Sequence, residues 1–185
     1  MIRVTIIGAG SVEFTRNVVA DLCSYPELAG QVTIALHDID PDRLAYAERA
    51  AASIVRRTGA GYRVEASAER RPAVDGADYV INEIQVGGLP ATRKDFEIPS
   101  KYGVRQTIGD TIGIGGIFRG LRTIPVAVGI GNDLHELAPA AGCAVPADRN
   151  AGPAHTRCLR VRARVLAASV EGALIGTTGT SVRRW

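Results

Sequence analysis

Residues 1–40, MIRVTIIGAGSVEFTRNVVADLCSYPELAGQVTIALHDID, carry the pattern that decides the fold. Val4, Ile6 and Ile7 dominate a short run that stops at Gly8, as a strand buried on both faces does. Phe14, Val18 and Leu22 then recur every fourth residue, which predicts a helix with those three on one face. Pro26 and Gly30 mark a connection. Residues 32–36 read as a second buried strand, closed by the acidic turn His37-Asp38-Ile39-Asp40.

The alternation continues. Leu44, Ala47, Ala51, Ile54 and Val55 make the apolar stripe of a second helix. Pro41 and Asp42 stand at its start, where a missing N–H and a negative charge are both favourable. Gly59 and Gly61 end it. Residues 62–66 form a weaker strand candidate, 72–76 a short helical turn, and 78–84 a strong strand candidate. Strands alternating with helices define an α/β fold with a doubly wound, Rossmann-like parallel sheet.

A chain of 185 residues, 46% hydrophobic and 22% charged, is long enough for one full core and falls in the ordinary globular class. No segment approaches the length of a membrane span, and the start lacks the basic flank and cleavage site of a signal peptide. The expected location is therefore the cytoplasm. Cys23, Cys143 and Cys158 have no CxxC spacing, so neither a disulfide framework nor a zinc site is expected. Seven arginines against Asp148 and Glu171 make residues 142–185 basic, while the preceding body is slightly acidic. With one aromatic, no lysine and no binding motif, that tail does not read as a nucleic-acid surface.

The chemistry starts at Gly8-Ala9-Gly10-Ser11. One glycine lets the strand turn sharply into the helix, and a second lets backbone approach a pyrophosphate seated on the helix N-terminus. Ser11 offers a hydroxyl donor or a helix cap. Glu13 stands where the common fingerprint has its third glycine, and glycine turns of this kind also serve as plain loop punctuation. The context is what selects a dinucleotide: the turn follows a strand, opens a helix and leads to Asp38 at the end of the second strand. A carboxylate there accepts hydrogen bonds from the adenosine ribose and repels the extra phosphate of NADP, so the expected cofactor is NAD.

A second block spans residues 84–125, IQVGGLPATRKDFEIPSKYGVRQTIGDTIGIGGIFRGLRTIP. Gly87-Gly88 and Gly113-Ile114-Gly115-Gly116 each introduce a helix, on the edge where open α/β sheets bind ligands. Between them lie Arg93, Asp95, Glu97, Arg105, Gln106 and Asp110. A solvated loop with a few salt bridges is one reading of these residues. Their position between glycine turns favours contact with a substrate.

Together, GAGSVEFT, LHDIDPDRL, ADYVINEIQVGG and DFEIPSKYGVRQTIGDT followed by GGIFRGLRTIP resemble glycoside hydrolase family 4, in its α-galactosidase and α-glucosidase branch. The resemblance runs from Met1 to about Ala141. It implies an exception to two-carboxylate glycoside hydrolysis. Carbon 3 of the sugar is oxidised by hydride transfer to NAD, the glycosidic oxygen leaves by elimination, water adds, and the hydride returns. A divalent metal, usually manganese, polarises the transient ketone. On this chain the resemblance assigns Gly8, Gly10, Ser11 and Asp38 to NAD and places Gln85, Val86 and Gly88 on the nicotinamide side. Asp110 matches a position that hydrogen-bonds sugar hydroxyls, and Arg93 is a further candidate for substrate contact. The implied substrate is a small-molecule α-glycoside, with no nucleic-acid or membrane partner.

The departures are specific. Ile114 replaces the proline of the family's GPGG turn. Gly129 and Gly131 weaken a helix that already contains Pro125. Beyond Ala141 the family continues with an Asn-Pro element, a Cys-His pair whose cysteine binds the metal, a further histidine ligand and a tyrosine base, and none of these is found in residues 142–185. His155 and Cys158 have the wrong order and spacing to replace them. The expectation is a dinucleotide-binding domain over 1–141 with a truncated sheet, followed by a divergent tail that reflects either a reading frame shifted near Gly142 or another truncation, lacking the substrate and metal domain. No catalytic residue or metal ligand is assigned to this chain. Residues 160–170 read as a helix. Homo-oligomers are expected of the full-length family rather than of a chain without its second domain. Three functions follow: the family's NAD- and metal-dependent glycosidase, an NAD-binding unit without turnover, and an NAD-dependent hydroxy-acid dehydrogenase. The long 106–125 segment argues against the third.

Overall fold

The computed structural model describes residues 1–105 and 113–144. Gln106, Asp110, His155, Cys158 and the helix expected over 160–170 lie outside the described residues.

The opening unit forms as its pattern dictates. Strand β1 (Ile2–Ile7) leads into helix α1 (Val12–Cys23), a turn of 3-10 helix (Pro26–Leu28) and strand β2 (Val32–His37), which is buried along its whole length. Helix α2 (Pro41–Thr58) follows. Asp40 caps it, its side chain accepting from the amides of Asp42 and Arg43 at 3.0 and 3.1 Å. Gly59, at φ +69°, ends it by donating to Val55 O at 3.1 Å.

Strand β3 (Arg63–Ser67), helix α3 (Arg70–Val74), strand β4 (Tyr79–Asn82), helices α4 (Gly88–Lys101) and α5 (Ile114–Leu137), and strand β5 (Gly142–Ala144) complete the described chain. The five strands form one parallel sheet in the order β3-β2-β1-β4-β5. Its order reverses beside β1, which creates a crevice at the carboxyl ends of β1 and β4. The sheet also continues past Ala141, where the composition changes, because β5 pairs Gly142 with Tyr79 and Cys143 with Val80.

Two apolar layers sandwich the sheet. Val4, Ile6, Val32, Ile34 and Leu36 face Val19 of α1 and Leu44, Ala47, Ala51 and Val55 of α2. Ile7 and Val80 face Val74 of α3 and Ile130 and Leu134 of α5. Helices on both faces make the sheet doubly wound.

Two local expectations are corrected. In α1 the buried stripe is Thr15 and Val19, with Val18 and Leu22 partly covered and Phe14 exposed. The threonine enters the core because its hydroxyl donates to Ala9 O at 2.8 Å, which satisfies the group that the apolar pattern would have kept out. Strand β4 is shorter than the apolar run 78–84, since the chain turns at its end toward Gly87. Helix α5 runs unbroken through Pro125, Gly129 and Gly131. Tertiary packing that buries Ile130 and Leu134 supports the helix across these weak helix formers. Among the described residues, no helix is long and apolar enough to cross a membrane.

Candidate functional site

The turn after β1 sits in the crevice and is built by close approach. Gly8 adopts φ +88°, and a Cβ there would stand 2.9 Å from the carbonyl carbon of Glu83. At Gly10 a Cβ would meet Asp38 Oδ2 at 2.5 Å and Arg43 Cβ at 2.9 Å. Gly8 is therefore required by its backbone conformation and neighbours, and Gly10 by the side chains of Asp38 and Arg43, before any ligand is considered.

The hydrogen bonds of the turn show which groups remain for a ligand. Gly8 and Ala9 donate to His37 O at 2.8 and 3.0 Å, Ser11 donates to Gly8 O at 3.0 Å, and Gly10 donates to Asp38 Oδ2 at 2.7 Å. The glycines thus provide proximity, while the open amide donors are those of Val12, Glu13 and Phe14 in the first turn of α1. Ser11 occupies the N-cap position, but its hydroxyl makes no cap hydrogen bond, so it too can face an anion. Glu13, in the place of the fingerprint's third glycine, lies on that same first turn.

Asp38 ends β2 and has both oxygens engaged: Oδ2 by Gly10 and Oδ1 by the Asp40 amide at 2.9 Å. Each oxygen keeps a second lone pair. Gly8, Gly10, Ser11 and Asp38 are therefore brought together, and Asp38 also fixes the turn.

Beyond β4 the chain passes directly beside Gly8, where an added Cβ would also lie 3.0 Å from Ile84 N. Gln85 donates from Nε2 to Thr92 Oγ1 at 2.9 Å, Val86 lies in the turn that follows, and Gly88 opens α4. Gly87 was the less obvious requirement. It has φ +84°, and a Cβ on it would strike Ala91 Cβ at 2.6 Å.

Arg93 lies on α4, on a regular helix rather than a loop. Asp95, grouped with it in the sequence, is 1% exposed and forms a two-bond ion pair with Arg122 of α5, at 2.8 and 2.6 Å. That pair ties α4 to α5 and takes Asp95 away from any substrate. Further along α5, Asp133 pairs with Arg70 and Arg71 at 2.6 and 2.9 Å, fixing α3.

Sequence reading missed Glu83. Both of its carboxyl oxygens are buried without a hydrogen-bond partner, as is Oδ1 of the adjacent Asn82. Burial alone pushes the Glu83 carboxyl up to about 7. The available signal was a single acid in the apolar stretch YVINEIQV, where a charge has no ordinary place.

The glycine cradle, the open amides and the spare Ser11 hydroxyl fit a dinucleotide. A metal ion does not fit in the same way: among the described residues no group of three or more His, Cys, Asp or Glu side chains is placed to hold one. Cys23 and Cys143 are free thiols, the latter buried.

The sequence profile of the family 4 glycosyl hydrolases matches residues 3–147. An alpha-galactosidase of Bacillus subtilis is 47% identical over 140 residues, covering 75% of this chain and 32% of the relative. An alpha-galactosidase of Rhizobium meliloti is 43% identical over 136 residues, covering 74% and 28%. The structure of a 6-phospho-alpha-glucosidase from gut microorganisms, in complex with NAD and glucose-6-phosphate, superposes with a TM-score of 0.74 at 26% identity, covering 89% of this chain and 37% of that one. The chain spans about a third of the length of the curated relatives it matches. With the match extending over most of its residues, the chain belongs to family 4 of the glycosyl hydrolases.

Proposed function

We propose that this chain is the NAD-binding part of a family 4 glycosidase acting on small α-galactosides or α-glucosides in the cytoplasm. The observation that carries this reading is the turn in which Gly10 donates to Asp38 at 2.7 Å while the α1 amides and the Ser11 hydroxyl stay available. Residues 1–141 form the core of the dinucleotide domain. The α1 N-terminus and Ser11 take the pyrophosphate, and Asp38 accepts from the adenosine ribose through its remaining lone pairs. Gln85, Val86 and Gly88 line the path toward the nicotinamide.

When bound, NAD supplies a hydride acceptor that is restored within the same turnover. The chain's own residues orient it. Arg93 and Asp110 are proposed to contact sugar hydroxyls. No step is assigned to a metal, for lack of fitting ligands among the described residues. The chain's span of about a third of its relatives' length favours a second reading, NAD binding without turnover by this chain alone.

Incubation with a nitrophenyl α-galactoside, NAD, manganese and a reductant separates the readings. Nitrophenol release supports a working glycosidase. NAD binding without release supports the second reading, and failure of both contradicts the two together.

A further inference from the structure

Glu83 is the carboxyl beside the crevice that is both buried and without a hydrogen-bond partner among the described residues. Its amide continues the ladder by donating to Ile7 O at 2.7 Å, so its backbone is held firmly against β1. Continuing the alternation of β4, its side chain falls on the face of Ile81, the face that also carries α1 and its open amides. Both carboxyl oxygens are buried, and neither has a partner. An unpaired buried carboxyl is costly, and such a group in a native structure calls for an explanation, of which a bound ligand that supplies the missing donors is one.

The position narrows the ligand group. Two partnerless carboxyl oxygens call for donors, and a pyrophosphate on the α1 N-terminus offers only acceptors, so Glu83 does not serve the phosphates. Asp38, at the end of β2, is on the other side of β1. A dinucleotide whose adenosine half lies toward Asp38 must send its other half across β4, past Glu83. The first hydroxyl-bearing unit on that path is the second ribose, whose diol offers two donors to two vacant oxygens.

We propose that Glu83 is a cofactor-binding residue that accepts hydrogen bonds from the ribose diol on the nicotinamide half of the dinucleotide. This rests on the NAD reading above. Asp38 and Glu83 then act as a pair, one carboxyl for each ribose, placed on the two strands that flank the glycine turn. The two differ in how they are prepared. Asp38 is already held by two backbone amides, whereas Glu83 has no hydrogen-bond partner among the described residues.

The test is titration of the full chain and of Glu83→Ala and Glu83→Gln with ADP, ADP-ribose and NAD. ADP ends before the second ribose, and ADP-ribose ends with it. In the wild type ADP-ribose and NAD are expected to bind more tightly than ADP. Glu83→Ala is expected to weaken both about tenfold and leave ADP unchanged. Glu83→Gln keeps the shape with one acceptor atom, so it guards against loss of fold and is expected to move the same two ligands by a smaller factor. Unchanged binding of ADP-ribose and NAD in both variants overturns the proposal. So does an equal loss for all three ligands, which places the effect in the turn, and so does a loss confined to NAD, which places it at the nicotinamide ring. A folded wild type that binds none of the three refutes the NAD reading itself.

Discussion

Asp38 and Gly10 are joined across 2.7 Å, from the carboxylate at the end of β2 to the amide in the turn after β1. The residue expected to face the ribose therefore also holds the glycine turn in shape. Asp38→Ala should cost about 1–2 kcal/mol of stability by orphaning the Gly10 amide, and should weaken NAD binding about tenfold. It should also narrow the preference for NAD over NADP, since the repelling charge is gone. Paired titrations with the two cofactors check this, and an unchanged ratio contradicts the ribose role.

Gly10→Ala tests the close approach itself. The added methyl would stand 2.5 Å from Asp38 Oδ2 and 2.9 Å from Arg43 Cβ, and the latter sits on the stem of α2. A loss of roughly 1–3 kcal/mol in urea unfolding is expected, with NAD affinity falling further than in Asp38→Ala. A substitution without effect would mean that the turn opens easily.

The opening unit was legible in sequence because its signals are local and agree with one another. Pro41, Asp40 and Gly59 each act within one turn of the helix they bound. What escaped depends on distant partners. Thr15 is buried only because Ala9 O accepts its proton, and Asp95 only because Arg122 reaches it from 27 residues away. A polar residue with a remote partner looks like a solvated one until the partner is seen. Glu83 escaped for the opposite reason: it has no partner within the described chain, so nothing marked it except its apolar surroundings.

Glu83 should give stability a distinct pH dependence. Its carboxyl holds its proton up to about pH 7 in the folded chain, against an ordinary value near 4.5, and burial rather than a charged neighbour is the cause. The folded state then binds more protons than the unfolded state between those values, so stability falls as pH rises from about 4.5 to 7 and levels off above. Glu136 has the opposite sign. Arg71 lowers its carboxyl, and its contribution is lost below the ordinary range. Melting curves from pH 4 to 8 should show Glu83→Gln flatter than wild type and more stable at pH 8, by on the order of 1–3 kcal/mol. Parallel curves would contradict the buried, unpaired state.

The Arg122–Asp95 pair should behave as a clamp between α4 and α5. Arg122→Ala leaves a carboxylate that is 1% exposed without its cation. A loss of about 2–4 kcal/mol is expected, in the lower part of the buried-pair range because Arg122 keeps 28% of its side chain exposed. Asp95→Leu combined with Arg122→Met should recover most of that loss. Urea denaturation of the single and double variants decides this, and additive losses would contradict a coupled pair.

The central claim is that the β1 turn, α1 and Asp38 bind NAD, and calorimetric titration of the full chain with NAD tests it most directly. Saturable one-to-one binding, at least about tenfold tighter than binding of NADP, is expected. A chain with a cooperative melting transition but no saturable NAD binding at millimolar cofactor would contradict it.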